Sequence, residues 1–439
     1  MKPLKVCAIA AFALAASVAV AQPALSIPND RLTNADVAVY RRSVTELWVY
    51  DTRPEVGVGA HHISDGDVAL MRAANLRLVR ITMYWNQIEN TTTPGVYNAA
   101  KLAEWDETVR RCESGGIVPL ILVHANAPGV KFAQRQEGYQ RFAKFMGDMV
   151  KRFPRVKFWE LWNEMDAGFT DLFGAEAKVP MRERGRMYAE MLKVTYPAIK
   201  SANSNTWVLM GGMTDWSEFP RGVYEAGGAA HFDFMNLHTY GVPVVYAFVG
   251  RGFALYSVMK EFHDEGRPLW NTEFGMDAGN VVNAWGMPHA RKTPKEDGAE
   301  FDAMHLATWR DCVEDNARRR NYVKALGYQW AAGNETAPEK MKEAKLPAGH
   351  TQHDYGFGLL RADGKTPRPA YTWLKETNPN RGITTTPKRT LDVEAYIPDG
   401  LTPIGHAFDY KWRKPWMLIK GVTVNSLEPT VIRLAPEKK

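Results

Sequence analysis

The stretch Lys157-Phe158-Trp159-Glu160-Leu161-Trp162-Asn163-Glu164 is a short apolar run that ends in a carboxamide and a carboxylate. Its aromatic and aliphatic content predicts a β-strand. Because successive side chains of a strand point to opposite faces, Glu160 and Glu164 are expected on one face and Asn163 on the other. Glu164 then lies at the exit of the strand, where a site can open.

A second stretch, Pro268-Leu269-Trp270-Asn271-Thr272-Glu273-Phe274-Gly275, has the same character and also carries a glutamate near its end. Short apolar runs of this kind alternate with helix-like segments between residues 52 and 380. The predicted strands are Glu55–His61, Leu76–Thr82, Ile117–His124, Val156–Glu164, Trp207–Met213, Phe232–Tyr240, Leu269–Phe274 and Ala325–Trp330. Helices are predicted at Asp65–Ala74, Ala99–Ser114, Gln136–Arg152, Arg182–Ala202, Gly252–Asp264 and Phe301–Lys324. This alternation predicts an α/β fold, the (β/α)8 TIM barrel.

An open doubly wound sheet is the alternative arrangement of such units. It would require a glycine-rich phosphate-binding turn after the first strand. The sequence Glu55-Val56-Gly57-Val58-Gly59-Ala60-His61-His62 lacks the third glycine and the helix start of that turn. The barrel is therefore favoured.

The two glutamates are expected to meet at one end of the barrel, because the carboxyl ends of parallel strands share a face. Two carboxyls so placed are the minimum equipment for cleaving a glycosidic bond: one holds a proton for the leaving oxygen and the other stays ionised. Tyr240 and Arg80, at the ends of the sixth and second strands, are candidate donors to Glu273. His238 shares a face with Tyr240, because the two are two residues apart.

A third carboxylate, Glu160, is expected deeper in the barrel than Glu164. A buried glutamate needs a partner, and an arginine such as Arg80 is the predicted one. That pairing competes with the prediction that Arg80 serves Glu273, and the sequence leaves both open.

These residues resemble the motifs of the clan A retaining glycoside hydrolases. The branch they are most similar to is family 39-like and includes β-xylosidases, α-iduronidases and bacterial glycosidases that act on biofilm exopolysaccharides. The resemblance covers about residues 52–380. It rests on Trp159–Glu164, Thr272–Gly275, the His238/Tyr240 pair, Trp330, Tyr355–Arg361 and Pro367–Tyr371. One departure is Met165-Asp166, which stands where many relatives have proline after the glutamate.

The resemblance implies a role for each matching residue. Glu164 would be the acid/base and Glu273 the nucleophile, while Asn163 would hydrogen-bond the sugar 2-hydroxyl. His238 and Tyr240 would lie near the nucleophile. Trp330 would lie beneath the sugar.

Further candidates for substrate contact are ring side chains that follow predicted strands or lie in loops on the same face. They are Trp85, His124, Trp216 and Trp285. The two longest connections, Met276–Glu300 and Ala331–Phe357, also fall on this face, and long loops without periodicity are often functional.

Two rival classes remain open at this point. A metal-dependent barrel hydrolase is suggested by several histidines, but the adjacent His61 and His62 point to opposite faces of a strand, whereas a chelating pair needs a spacing of two. No metal or other cofactor is therefore expected. A non-catalytic polysaccharide-binding protein would tolerate loss of either glutamate. The expected partner is a polysaccharide or oligosaccharide, with an exo-acting β-xylosidase-like enzyme as an alternative to one that cleaves a bacterial exopolysaccharide.

The composition limits the classes of protein to which this chain can belong. The chain of 439 residues is 45% hydrophobic and 11% aromatic, which suits one barrel with an accessory piece. Its net charge is +6 and falls to +4 without residues 1–21, which hold two lysines and no acidic residue. So small a charge does not indicate a nucleic-acid partner. Cys112 and Cys312 could pair or stay as buried thiols.

Residues 1–21 have the features of a secretory signal peptide. Lys2 and Lys5 precede an apolar run from Val6 to Val20, and Ala19-Val20-Ala21 offers a small-residue cleavage site. The run is shorter than the roughly 20 residues that a membrane-spanning helix needs, so no span is expected after removal of the leader. We therefore expect export to the periplasm or the extracellular space.

The rest of the chain divides into three predicted parts. Residues 22–51 form an N-terminal segment, residues 52–380 the catalytic barrel and residues 381–439 a small β-rich C-terminal appendage. The strands of the appendage are predicted at Leu391–Tyr396, Ala407–Trp412, Trp416–Ile419 and Thr430–Leu434. The appendage is expected to pair with Val44–Tyr50.

The leader predicts that the mature protein begins at or near Gln22, because cleavage follows the small-residue site. Amino-terminal sequencing of secreted material should return that residue. An intact Met1 on soluble secreted protein would contradict the prediction.

Overall fold

The computed structural model describes most of the barrel and parts of both termini. The described residues are 36–43, 46–61, 63–130, 135–167, 179–240, 246–264, 266–275, 299–318, 324–327, 358–361, 363–377, 380, 383, 388–395 and 417–434. The predicted leader and nearly all of both long connections lie outside them.

The strands, numbered in chain order, form three sheets. They are β1 Val37–Ser43, β2 Glu46–Asp51, β3 Glu55–Ala60, β4 Leu78–Tyr84, β5 Val118–His124, β6 Phe158–Asn163, β7 Trp207–Gly212, β8 Met235–Tyr240, β9 Leu269–Gly275, β10 Lys324–Gly327, β11 Lys388–Ala395, β12 Met417–Asn425 and β13 Thr430–Arg433. The helices are α1 Asp65–Ala73, α2 Trp85–Ile88, α3 Ala99–Gly115, α4 Arg135–Arg152, α5 Met181–Ala202, α6 Glu218–Glu225, α7 Tyr246–Glu261, α8 Ala299–Arg318 and α9 Pro369–Thr377.

Strands β3 to β10 form a closed parallel barrel. Strands β3 to β7 pair in chain order, as do β8 to β10, and β10 also pairs with β3. The remaining seam, between β7 and β8, is joined by backbone hydrogen bonds from Asp233 N to Val208 O at 2.7 Å and from Met210 N to Phe234 O at 3.0 Å. The predicted α/β (β/α)8 fold is thus confirmed.

An apolar layer fills the amino-terminal end of the barrel interior. It contains inward side chains of successive strands: Leu78, Leu120, Phe158, Leu209, Phe234 and Trp270. Two residues further along β4 and β6 come Arg80 and Glu160, which are also buried. A polar site therefore rests on an apolar floor inside the barrel.

A small antiparallel sheet covers that floor from below. Strand β2 pairs with β1 on one side and with β13 on the other, and Val49 lies opposite Thr430. Trp48 of β2 packs edge-on against Trp207 and Phe234, with ring centroids 5.2 and 6.4 Å apart. The prediction that the C-terminal strands pair with Val44–Tyr50 is confirmed. The antiparallel pair of β11 and β12 packs on Val49 from the other face.

Some elements differ from the prediction. Helices α2 and α6 were not predicted, because they span only one to two turns. Predicted strand Ala407–Trp412 lies outside the described residues. Cys112 and Cys312 are both buried in one apolar cluster, and no disulfide joins them. Among the helices that the structure describes, none combines the length and apolar character needed to cross a bilayer.

Helices α5 and α6 cross closely at two glycines. A Cβ at Gly222 would lie less than 3.0 Å from the backbone of Arg182, and one at Gly185 less than 3.0 Å from that of Phe219. No side chain fits between these helices, so α5 is held in a fixed position beside β6 and β7.

The Gly222→Ala variant should therefore be destabilised, by about 1–3 kcal/mol, because overpacking forces the helices apart. Urea unfolding measures the change. Gly66→Ala in α1 is the matched control, since its Cβ would meet only Ser64 Oγ, at 3.6 Å, and it should lose no stability. Equal unfolding midpoints for both variants would contradict the close crossing.

Candidate active site

Arg80 links the acidic side chains of the site. Its Nε and Nη2 donate to the carboxylate of Glu160 at 2.7 and 3.0 Å, and its Nη1 donates to Glu273. Nη2 also donates to Asn163 Oδ1 at 2.8 Å. The two partnerships that compete in the sequence therefore coexist, because a guanidinium has enough N–H groups for both.

Glu273 is held as a carboxylate. Tyr240 donates its hydroxyl to Oε2, Arg80 donates to Oε1, and His238 Nδ1 lies 3.5 Å from Oε2. Burial alone would raise the pKa of Glu273, but the positive charges of His238 and Arg80 and the hydrogen bond from Tyr240 hold it below its usual range. The side chain is thus ionised at neutral pH, as a nucleophile requires.

His238 lies between the two strand-end glutamates. Its Nδ1 is 2.8 Å from Glu164 Oε1, and its Nε2 is 3.1 Å from Thr272 Oγ1. Burial alone would lower the pKa of His238, but the negative charge of Glu273 and the nearby carboxylates of Glu160, at 3.9 Å, and Glu164, at 2.8 Å, raise it to about 10. One oxygen of Glu164, Nδ1 or Nε2 of His238 and one oxygen of Glu273 lie within 4.8 Å of one another.

Glu160 is surrounded by hydrogen-bond donors of the barrel interior. Besides Arg80, its Oε1 accepts from Gly212 N at 3.0 Å and from Thr272 Oγ1 at 3.2 Å. Burial would raise the pKa of Glu160, but the charge of Arg80 outweighs it and lowers the pKa to about 2. Glu160 is therefore a permanent anion that anchors Arg80 below the mouth of the barrel.

The end of β6 departs from strand alternation, so the prediction that Asn163 faces away from Glu160 is wrong. Trp162 has a φ of 77° and Glu164 a φ of 43°, both in the left-handed region. The first reversal lets Leu161 and Trp162 both pack in the outer core, while Asn163 turns inward to Arg80. Such conformations cost roughly 1–3 kcal/mol each and cluster at functional sites.

Strand β9 carries a β-bulge just before the second glutamate. Leu237 of β8 lies opposite Asn271, but the next residue, His238, lies opposite Glu273, so Thr272 is an extra residue. Thr272 and Glu273 consequently both contact groups inside the barrel. Bulges re-aim side chains in this way next to active sites.

Glycine is required on β7 opposite these features. A Cβ at Gly212 would lie less than 3.0 Å from the imidazole of His238, and one at Gly211 less than 3.0 Å from the carbonyl oxygen of Trp162. The pair therefore makes room both for the histidine and for the reversed backbone of β6.

Asp166 fixes the loop that follows Glu164. It is fully buried, and its Oδ2 accepts from the backbone N–H and the hydroxyl of Thr214 at 2.7 Å each, and from Asp215 N. Asp166 thus ties the loop after β6 to the loop after β7 through its carboxylate.

The remaining predicted substrate residues have different positions. His124 lies at the mouth beside Tyr84, with ring centroids 5.0 Å apart, and burial, together with the charge of Arg80, lowers its pKa to about 4. Trp216 is partly buried against the core. Trp285 and Trp330 lie outside the described residues, and their roles stay predictions.

The prediction that Trp85 contacts substrate is wrong. Its side chain is 1% exposed, donates to Glu89 Oε2 at 2.6 Å and packs on Phe142 of α4. The residue after a barrel strand was expected at the mouth, but helix α2 starts at Trp85 and turns the ring into the core. Burying so large an apolar ring is worth more than exposing it.

Sequence analysis did not identify Thr272, Asn236 or Tyr188. Asn236 donates to Thr272 Oγ1 at 2.8 Å, and Thr272 in turn contacts His238 and Glu160. The spacing of two between Asn236 and His238 was the available signal, because it places both side chains on one face of β8.

A metal ion would find a poor site among these residues. Glu164, His238 and Glu273 lie close enough to share one. However, Glu273 already accepts from Arg80 and Tyr240, and the raised pKa of His238 keeps the imidazole protonated at neutral pH. A divalent cation would have to displace these positive groups.

A parallel barrel with two carboxylates at the ends of β6 and β9, one of them held ionised, defines a clan A glycoside hydrolase. The sequence model of the cellulase family (glycosyl hydrolase family 5) matches residues 52–317. The chain belongs to this family, and it is a glycoside hydrolase. No curated protein sequence matches the chain.

Solved structures of glycosidases share the fold. A family 39 glycoside hydrolase from the gut symbiont Bacteroides cellulosilyticus WH2 is similar with a TM-score of 0.53 and 18% identity, covering 91% of this chain and 88% of that one. An exo-β-1,4-mannosidase from Opitutaceae bacterium strain TAV5 is similar with a TM-score of 0.51 and 16% identity, covering 75% and 60%. A glucosidase from Croceicoccus marinus has a TM-score of 0.50 and 15% identity, covering 78% and 69%.

The raised pKa of His238 predicts a stability that falls at alkaline pH. A group whose pKa rises from 6.5 to about 10 on folding stabilises the protein fully below pH 6.5 and loses that contribution as the pH rises through 10. Urea unfolding at pH 7 and pH 10 should therefore show a larger loss for the wild type than for His238→Asn.

His231→Asn is the matched control. Burial lowers the pKa of His231, so its removal should leave the alkaline loss of stability as it is in the wild type. Equal pH dependence of His238→Asn and the wild type would show that the imidazole carries no charge in the folded protein.

Proposed function

We propose that the protein is an exported, retaining glycoside hydrolase that cleaves a polysaccharide or oligosaccharide by double displacement. The observation that carries the proposal is the approach of the two carboxyls, with one oxygen of each within 4.8 Å of the other. Retaining enzymes have carboxyls about 5–5.5 Å apart, whereas inverting enzymes need about 6.5–9.5 Å to admit a water.

The first step is attack by Glu273 on the anomeric carbon. The bond from the anomeric carbon to the leaving oxygen breaks, a glycosyl ester with Glu273 forms, and Glu164 gives its proton to the leaving oxygen. In the second step Glu164 takes a proton from water, which attacks the same carbon and releases Glu273. Two inversions give net retention.

His238 suits this exchange of charge. During the first step the negative charge leaves Glu273, which becomes an ester, and appears on Glu164, which has lost its proton. Nδ1 of His238 lies 2.8 Å from Glu164 and 3.5 Å from Glu273, so one protonated imidazole faces the anion before and after the step. Its positive charge needs no reorganisation, which favours the transition state.

Asn163 is oriented for a contact with the sugar. Because Arg80 Nη2 donates to Oδ1, the amide oxygen faces the guanidinium and Nδ2 remains as the donor. We assign Nδ2 to the sugar 2-hydroxyl, where a hydrogen bond strengthens as the oxocarbenium ion develops.

The substrate proposed is a secreted bacterial exopolysaccharide. Support comes from the predicted leader and from the family 39-like motifs, which also favour a place in that branch of the clan. The similarity to the family 39 structure covers 91% of this chain and 88% of that one. We therefore consider family 39 as well as family 5. An exo-acting β-xylosidase-like enzyme is the alternative. The solved exo-β-1,4-mannosidase shows that exo-acting enzymes occur among proteins with a similar fold.

The test is a screen of purified protein against polysaccharides and aryl glycosides, with NMR of the first product. We expect a retained anomer, no effect of EDTA, and a loss of at least about a thousandfold in kcat for Glu273→Ala. Azide should give the inverted glycosyl azide with Glu273→Ala and the retained one with Glu164→Ala.

Glu104→Ala, in an exposed ion pair on α3, is the matched control and should keep full activity. An inverted first product would exclude Glu273 as the nucleophile. If Glu273→Gln kept wild-type activity, other residues would have to catalyse the cleavage. A loss of activity with EDTA would favour the metal-dependent class.

A further inference from the structure

Tyr188 of α5 inserts its hydroxyl between two barrel strands. The fully buried hydroxyl donates to Leu161 O of β6 at 2.5 Å and accepts from Gly211 N of β7 at 2.9 Å. Earlier in this pair of strands Trp207 N donates directly to Lys157 O at 2.7 Å. Leu161 pairs with Met210 in this ladder, so the hydroxyl lies at the last regular pairing before the end of β6. The hydroxyl therefore bridges the two strand backbones at this point.

This bridge lies where the backbone of β6 reverses. Trp162, with its φ of 77°, directly follows Leu161, and Gly211 lacks the Cβ that would collide with the Trp162 carbonyl. The hydroxyl therefore joins the two backbones at the residue before the reversal. Its removal would break both of these buried hydrogen bonds.

The same face of α5 also holds the far end of this segment. Arg184, one helical turn before Tyr188, donates from Nη1 to Asp166 O at 2.7 Å and from Nε to Val179 O at 3.1 Å. Residues 161–166 are therefore held at both ends by one helix, and that helix is itself fixed against α6 at Gly185. Asn163 and Glu164 lie between the two contacts.

We infer that Tyr188 and Arg184 are positioning residues that hold Glu164 and Asn163 in the site. This inference rests on the proposed role of Glu164 as the acid. The nucleophile is held differently: Glu273 lies on β9 and is bonded by Arg80 and Tyr240. Loss of a contact from α5 should therefore impair protonation of the leaving group more than attack by Glu273.

Substrates with different leaving groups separate a loss of protonation by the acid from a loss of attack by Glu273. A 2,4-dinitrophenolate leaves without a proton, whereas a phenolate needs one from the acid. Tyr188→Phe should lower kcat/KM at least tenfold on phenyl glycosides of the preferred mono- or oligosaccharide. On the corresponding dinitrophenyl glycosides it should lower kcat/KM less than threefold.

Tyr139→Phe is the matched control. Tyr139 is a buried residue of the neighbouring helix α4, in the same apolar cluster, and its hydroxyl has no hydrogen-bond partner in the part of the chain that the structure describes. This variant should change neither substrate series. Arg184→Gln is a second variant and should show the same selectivity as Tyr188→Phe, so the test stands even where one of the two fails to fold.

Equal losses on both series for Tyr188→Phe and Arg184→Gln would show a general structural role and overturn the inference, as would wild-type rates on phenyl glycosides. Glu164→Ala, measured on the same substrates, keeps the two proposals apart. If Glu164→Ala itself shows no dependence on the leaving group, the proposed role of Glu164 fails. If it shows that dependence and the two α5 variants do not, only the positioning role fails.

Discussion

The site depends on a buried positive charge. Arg80, 5% exposed, sits inside the barrel between Glu160 and Glu273 and also orients Asn163. A buried charge is tolerated only with close partners, and Glu160, with its pKa lowered to about 2, is a partner that never titrates in the working range. Glu160 therefore fixes Arg80, and Arg80 fixes the carboxylate of Glu273 and the amide of Asn163. The apolar layer beneath, closed by Trp48 from the small sheet, keeps this polar group at one depth in the barrel.

The side chains proposed for the chemistry depend on local departures from regular strands. A reversed backbone at Trp162 brings Asn163 and Glu164 inward from β6, and a bulge at Thr272 does the same for Glu273 on β9. Glycines on β7 leave room for the first departure. Regular strands would offer one inward side chain in every two residues, which is too few for a site that needs neighbouring groups. The cost of the irregular backbone is offset by the hydrogen bonds of the surrounding barrel.

The barrel could be predicted from the sequence because it rests on a repeated pattern. Alternating apolar runs and helical segments fix the strand order, and strand order brings Glu164, Glu273, Arg80, His238 and Tyr240 to one end. The alternation rule failed for Asn163, since nothing in Leu161-Trp162-Asn163 signals a positive φ. It also failed for Trp85, whose ring turns into the core with a four-residue helix. Tyr188 was not found because its contact joins a distant helix to two strand backbones, which no local pattern records.

In the proposed reaction Glu273 itself attacks the sugar. The most direct measurement is to inactivate the enzyme with a 2-deoxy-2-fluoroglycoside of its preferred sugar carrying a dinitrophenolate leaving group, and to locate the label by peptide mass spectrometry. The fluorine slows both steps, and the good leaving group lets the first proceed, so the glycosyl ester accumulates. We predict one label per chain, on the peptide that contains Glu273, with its release restoring activity. A label on Glu164, or turnover with no covalent species, would contradict the account.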